Sequence, residues 1–276
     1  MAYGILFYHL GKLNNFGHKV LNRIISIAKN TFREAVRDRV LYNLVLFVLL
    51  IIGCAILLGD LTDGHEARTI VNIGLNAMLM FGAFIAIFVG VGLVSKEIEK
   101  RTVFAIFAKP VGRSEFIIGK YLGLCLTLAV NVAVMGAGIS LALLYVGNPS
   151  LAATIWGTVV LIFCELTIVT AVAILFSSFS SPALSALLTF FVFLIGHFSS
   201  SLRDLANNIG SQSARYLFEA IYYLLPNFSH FTFVTNAAHG DGPPPAMIAG
   251  SIAYALLFDA IFVAATTLIF SRRNFK

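Results

Sequence analysis

The sequence predicts an all-α, polytopic membrane protein with six transmembrane helices. Three observations carry that prediction. The 276 residues are 59% hydrophobic and 12% charged, against about 25% charged in an average soluble domain, and mean hydropathy is +0.90. Six stretches, approximately 41–59, 70–94, 116–147, 153–176, 183–199 and 245–270, are apolar, and about 20 such residues cross a bilayer core of about 30 Å. Finally, 16 of the 19 lysines and arginines fall in segments that six spans place on one side.

Taken in order, the chain divides into an N-terminal segment (1–40), a six-span region (41–270) and a short tail (271–276). Residues 1–19 are aromatic and Gly-containing, an interfacial or disordered extension with no assigned role, and they lack the pattern of a secretory signal. Over 20–40 (VLNRIISIAKNTFREAVRDRV) a helical period emerges. Ile24, Ile25, Ala28, Phe32, Ala35 and Val36 share one face, and Arg23, Lys29, Arg33 and Arg37 the other. That pattern predicts an amphipathic helix in the interface, basic side towards anionic head groups. The alternative is a soluble helix packed on protein.

Segment 1–40 holds seven basic residues, segment 95–120 six and the tail three, leaving Arg68, Arg203 and Arg215 for the other side. The positive-inside rule then puts both termini and the 95–115 loop in the cytoplasm. The net charge of +6 therefore reports topology, and nucleic acid is not an expected partner. The third stretch, at 32 residues, would reach about 48 Å as a helix, so it projects at its start or bends near Gly136 and Gly138. The fifth is short. Between the last two spans, segment 200–244 is the longest outer stretch. Its apolar spacing predicts one or two short interfacial helices ended by Pro226, with HGDGPPP (239–245) breaking the chain before span six.

Little points to bond chemistry. Cys54, Cys125 and Cys164 lie in apolar runs and read as small hydrophobes. IIGKY (117–121) resembles the tail of a phosphate loop but has Ser114 where Gly is needed and Tyr121 where Ser or Thr is needed. GVG (90–92) lies inside a span and reads as close helix packing. The six histidines form no metalloprotease spacing, and no metal site is expected. Glu165 and Asp259 sit near the middle of spans four and six, where insertion of a charge costs roughly 2.5–3.5 kcal/mol. They form a candidate intramembrane polar path, or acids that hold helices together. His197, at the outer end of span five, reads as interfacial.

The informative stretch is Ser95–Gly123, SKEIEKRTVFAIFAKPVGRSEFIIGKYLG, with six basic residues, three Glu and an apolar centre. Large apolar residues exposed to cytosol are costly unless covered, which predicts a short amphipathic helix seated in a partner's groove. Pro110 and Gly112 end it, and GRSEF restarts a helix that becomes span three.

This stretch resembles the signature region of the ABC-2 type permeases, the membrane subunits of ATP-binding-cassette transporters, and is nearest the branch for multi-copper enzyme maturation and copper-centre assembly. The matching positions are Glu97 and Glu99, Arg101-Thr102, Val103–Phe107, Lys109-Pro110-Val111, Arg113 and Gly119-Lys120. Many relatives carry Gly where this chain has Arg101. TFREAVRDRVLYNLV (31–45), LFSSFSSPALSALLTF (175–190) and LLPNFSHFTF (224–233) look like further family segments, so the resemblance covers about residues 20–270.

The resemblance implies a non-catalytic subunit in the plasma (inner) membrane of a prokaryote, with no cofactor of its own. ATP and Mg would belong to a separate cytoplasmic ATPase, present in two copies beside two permeases that are identical or paralogous. The 95–115 loop would be the coupling helix. Val103, Phe104, Ile106 and Phe107 would anchor it, with Glu97, Glu99, Lys100, Arg101, Thr102, Lys109, Pro110 and Arg113 around them. Export is implied over import, and the substrate class is left open. A membrane scaffold without transport, and a proton-coupled carrier using Glu165 and Asp259, are the competing functions.

Overall fold

A computed structural model describes residues 2–36, 46–47, 50–51, 53–54, 57, 65–99, 112–199 and 212–272. Every regular element among them is helical: α1 (Ala2–Ala35), α2 (Glu66–Glu99), α3 (Arg113–Tyr145), α4 (Pro149–Ser177), α5 (Pro182–His197), α6 (Gln212–Leu224), α7 (Val234–Ala238) and α8 (Pro245–Arg272). A 3-10 turn, Phe228–Phe231, lies between α6 and α7. Four helices are long and apolar enough to cross a membrane, within α2, α3, α4 and α8, and α5 is a shorter apolar helix. The expected first span, 41–59, lies largely outside the described residues.

Helix α4 is the hub. It packs against α2, α3, α5 and α8, and 78% of its most apolar window is buried, against 17% for α8. Its termini follow local rules. Gly147 takes φ +81° in the turn after α3, which suits glycine, and Pro149 occupies the first turn of α4, where its missing N–H costs nothing. Pro182 does the same for α5. The expected small-residue packing of GVG is present: a Cβ at Gly90 would stand 3.0 Å from the Ala173 Cβ. Helix α3 runs unbroken for 33 residues through Gly136 and Gly138, about 50 Å of rise. Of the two expected solutions to its length, projection of its start fits, because its first turns carry ion pairs to α1.

Helix α1 starts at Ala2, so the N-terminal extension continues the amphipathic helix. Its faces differ from the period read in the sequence. Arg23 turns towards α3, 3.6 Å from Glu115, while Leu21 and Ile25 are exposed. The buried residues Thr31 and Ala35 define the protein-facing side, and Lys29 and Arg33 lie on the exposed side. The helix thus has three faces, against protein, apolar and exposed, and polar. The sequence reading merged the first two.

Segment 200–244 departs further from expectation. Helix α6 ends before Pro226 as predicted, and Tyr216, Tyr223 and Leu224 are exposed along it. The chain beyond it does not stay at the surface. Phe228, Phe231, Val234, Ala237 and Ala238 are buried in the same core as α2, α4 and α5, and α7 packs on α2 and α4. The breaker then acts as expected, with Gly240 at φ +98° and α8 beginning at Pro245.

Candidate functional site

Two regions bring together side chains that an apolar bundle does not need for packing. The first is the end of the bundle where α3 starts and α8 stops, here called the basic end. Arg113, the first residue of α3, donates from Nη1 to the carbonyls of Phe270 at 3.2 Å and Ser271 at 2.6 Å. Those carbonyls belong to the last turn of α8, where no intrahelical N–H remains for them and the helix dipole is negative. Lys120 is 2% exposed and pairs with Glu34 of α1 at 3.4 Å. Its Nζ also lies 5.9 Å from the Phe116 ring centre, within cation–π range.

Helices α1 and α3 approach closely enough for those pairs because Gly119 and Gly123 leave a notch. A Cβ at 119 would lie 2.7 Å from the Ile27 Cβ, and one at 123 would lie 2.6 Å from the Ala28 carbonyl oxygen. The GKYLG that fails as a phosphate loop is thus a small-xxx-small contact, which lets backbones meet where lipid gives no hydrophobic drive. Below it, Leu93, Phe116, Ile117, Leu124, Ile174 and Phe270 form a separate small core joining the ends of α2, α3, α4 and α8.

The expected docking residues divide accordingly. Lys100, Arg101, Thr102, Val103, Phe104, Ile106, Phe107, Lys109 and Pro110 lie outside the described residues. Glu97 and Glu99 fall in the last turn of α2. Arg113 is placed on the α8 terminus. Both ends of the candidate loop therefore leave from the basic end.

The second region holds the intramembrane acids, which the structure separates. Glu165 is 2% exposed, and its Oε1 stands 3.4 Å from His197 Nδ1. Neither atom has a hydrogen-bond partner among the described residues. His197, read from the sequence as interfacial, turns its Nδ1 inward towards Glu165. Helix α5 has 16 residues, about 24 Å, so it stops within the bundle. Glu165 lies twelve residues before the end of α4, about 18 Å, so the two side chains meet in depth. Phe193 and Phe228 cover the imidazole at centroid distances of 4.8 and 5.9 Å. Asp259 lies on α8 and meets α4 at Thr167, away from the Glu165–His197 pair. Tyr121 and Thr167 face its carboxyl, and its Oδ1 is buried with no hydrogen-bond partner among the described residues. No group of three or more His, Cys, Asp and Glu that could hold a metal occurs among the described residues.

Asn227 holds the inward-turning segment in place. Its side-chain oxygen accepts from the Ser199 hydroxyl and from the Ser229 amide at 3.0 Å, while its own amide donates to the Tyr254 hydroxyl at 2.8 Å. Asn227→Ala removes the acceptor and leaves buried donors unmet, so the protein loses about 1–3 kcal/mol of stability. Thermal unfolding in detergent measures this. Asn227→Asp, which keeps the oxygen, retains most of it.

The geometry is that of a helical membrane domain with a charged, multiply tied end and two separate buried acids. No curated protein matches the chain. Residues 25–275 match the family described as ABC-2 family transporter protein, and the chain, a multi-pass membrane protein, belongs to that family.

Proposed function

We propose that this chain is the permease subunit of an ATP-binding-cassette transporter, driven by a separate ATPase subunit that docks on residues 95–115. Family membership over nearly the whole chain is the observation that carries the reading. The placement of the loop supports it: its two ends join helices that share the small core at the basic end, so a push there reaches several spans. In this reading the chain performs no bond chemistry and carries no cofactor, and ATP and Mg reside in the partner. Two permease copies and two ATPases make the working unit, both termini and the loop face the cytoplasm, and the work is export or a conformational change across the inner membrane. A copper-centre assembly role is one substrate class within this frame.

Affinity purification of the tagged chain from its host in a gentle detergent tests the reading. An associated ATPase that hydrolyses ATP is the expected result. A chain that purifies alone overturns it.

The Glu165–His197 pair favours one competing reading, the proton-coupled carrier. Glu165→Gln separates the two. In an ATP-driven permease the amide keeps a polar group facing His197, and complex stability shifts by less than about 1 kcal/mol with ATP hydrolysis retained. In a proton-coupled carrier the same change abolishes transport in vesicles that lack an ATPase.

A further inference from the structure

Helix α8 is the least enclosed of the four long apolar helices among the described residues. Its buried residues are Ser251, Ala255, Asp259, Thr266 and Phe270, a single narrow stripe in which three of five side chains are polar. Ile252, Leu256, Leu257, Ile261 and Leu268 point away from the protein. In a bilayer the lipid-facing side of such a helix slides at small cost, while Met247, Ile248, Tyr254, Phe258 and Phe262 keep it seated on the core. Helix α4, enclosed on several sides, has no such freedom.

The basic end adds a further tie to those that Ser251 and Tyr254 make elsewhere along α8. There Arg113 holds the Phe270 and Ser271 carbonyls, and Phe116, one turn further along α3, stacks on Phe270 at 6.0 Å between ring centres. Arg113 and Phe116 are also among the first residues of α3 after segment 100–111. The residues that follow the loop thus grip the end of α8 by a charge-assisted bond and a stacked ring.

We propose that Arg113 is a transmission residue: displacement of the 95–115 loop moves Arg113, and the clamp carries the end of α8 with it relative to α4. Arg113 then serves within the chain and not as part of the ATPase-facing rim. The proposal rests on the reading of the chain as an ATP-driven permease, since the ATPase supplies the displacement. Both bonds leave a single nitrogen, Nη1, so lysine, a point charge with three donors on a flexible stem, reproduces them in part.

The test uses the permease–ATPase complex. Spin labels replace the exposed residues Leu268 on α8 and Val160 on α4, in a background without native cysteines. Dilution with unlabelled permease places both labels of a measured pair in one chain. Trapping with ADP and vanadate changes the 160–268 distance by about 2 Å or more in the otherwise wild-type chain. Arg113→Ala, read in the fraction of permease that retains its ATPase, removes that change, and Arg113→Lys restores part of it. If α8 stays still in the unaltered chain while ATP is hydrolysed, or moves equally in Arg113→Ala and Arg113→Lys, the transmission role is refuted and the permease reading stands. If no ATPase accompanies the chain, the permease reading falls and the transmission role falls with it.

Discussion

Gly123→Leu detaches α1 from α3 and costs at least about 1–3 kcal/mol of stability. The contact it breaks is backbone to backbone. A Cβ at 123 would stand 2.6 Å from the Ala28 carbonyl oxygen and 2.6 Å from the Thr31 Cβ, so no side-chain rotation can make room and the whole of α1 must back away. That movement pulls Glu34 from Lys120, now 3.4 Å apart. Because the Glu34 side chain is 43% exposed, losing that pair adds little, and the cost lies in the overpacked backbone contact. Gly250→Leu is the control, because a Cβ there meets nothing within 4 Å. Thermal unfolding and size-exclusion profiles in detergent compare the two. A Gly123→Leu chain as stable and monodisperse as the Gly250→Leu chain refutes the notch.

Why these features differ in legibility follows from what each depends on. Long spans announce themselves through composition alone, because lipid demands about 20 apolar residues and satisfied backbone groups whatever the neighbours are. The breakers at Gly147 and Gly240 are equally local. The pairing of Glu165 with His197 is not local. It depends on where α5 stops and on the chain turning back inward, which the composition of 200–244 hides behind polar residues. One signal was present: FSHFTF has three phenylalanines in six residues, too many for a solvated loop. Phe228 and Phe231 prove fully buried, at 0% and 1% exposed. The notch was also readable, since Gly119 and Gly123 stand four apart. Two of the three faces of α1 could not be separated in the sequence, because a residue that meets protein and one that meets lipid are equally apolar.

Phe104→Asp or Phe107→Asp abolishes association with the ATPase while leaving membrane insertion intact. The argument starts from the composition of 95–115, where a run of apolar side chains stands among charges of both signs. In water that run gains nothing by being there, so a covering partner is what gives it purpose. Docked helices of this kind draw most of their affinity from a few aromatic or aliphatic anchors at the centre of the contact. A carboxylate at an anchor position must either enter an apolar groove unpaired or hold the groove open. Either cost exceeds about 3 kcal/mol, more than a hundredfold in affinity. Insertion is spared because the spans on either side are unchanged. Lys109→Ala provides the contrast. A rim charge tunes the rate of encounter and its salt dependence, so this variant keeps the ATPase within about tenfold in affinity. The amount of ATPase retained on the tagged permease reads all three variants. Gly123→Leu adds a further distinction, since it perturbs α1 and the start of α3 without touching the anchors. Loss of ATPase from Phe104→Asp with normal thermal stability assigns the effect to docking, whereas loss accompanied by a fall in stability like that of Gly123→Leu assigns it to the fold. A stable, hydrolysing complex carrying Asp at 104 or 107 removes the docking role from this segment.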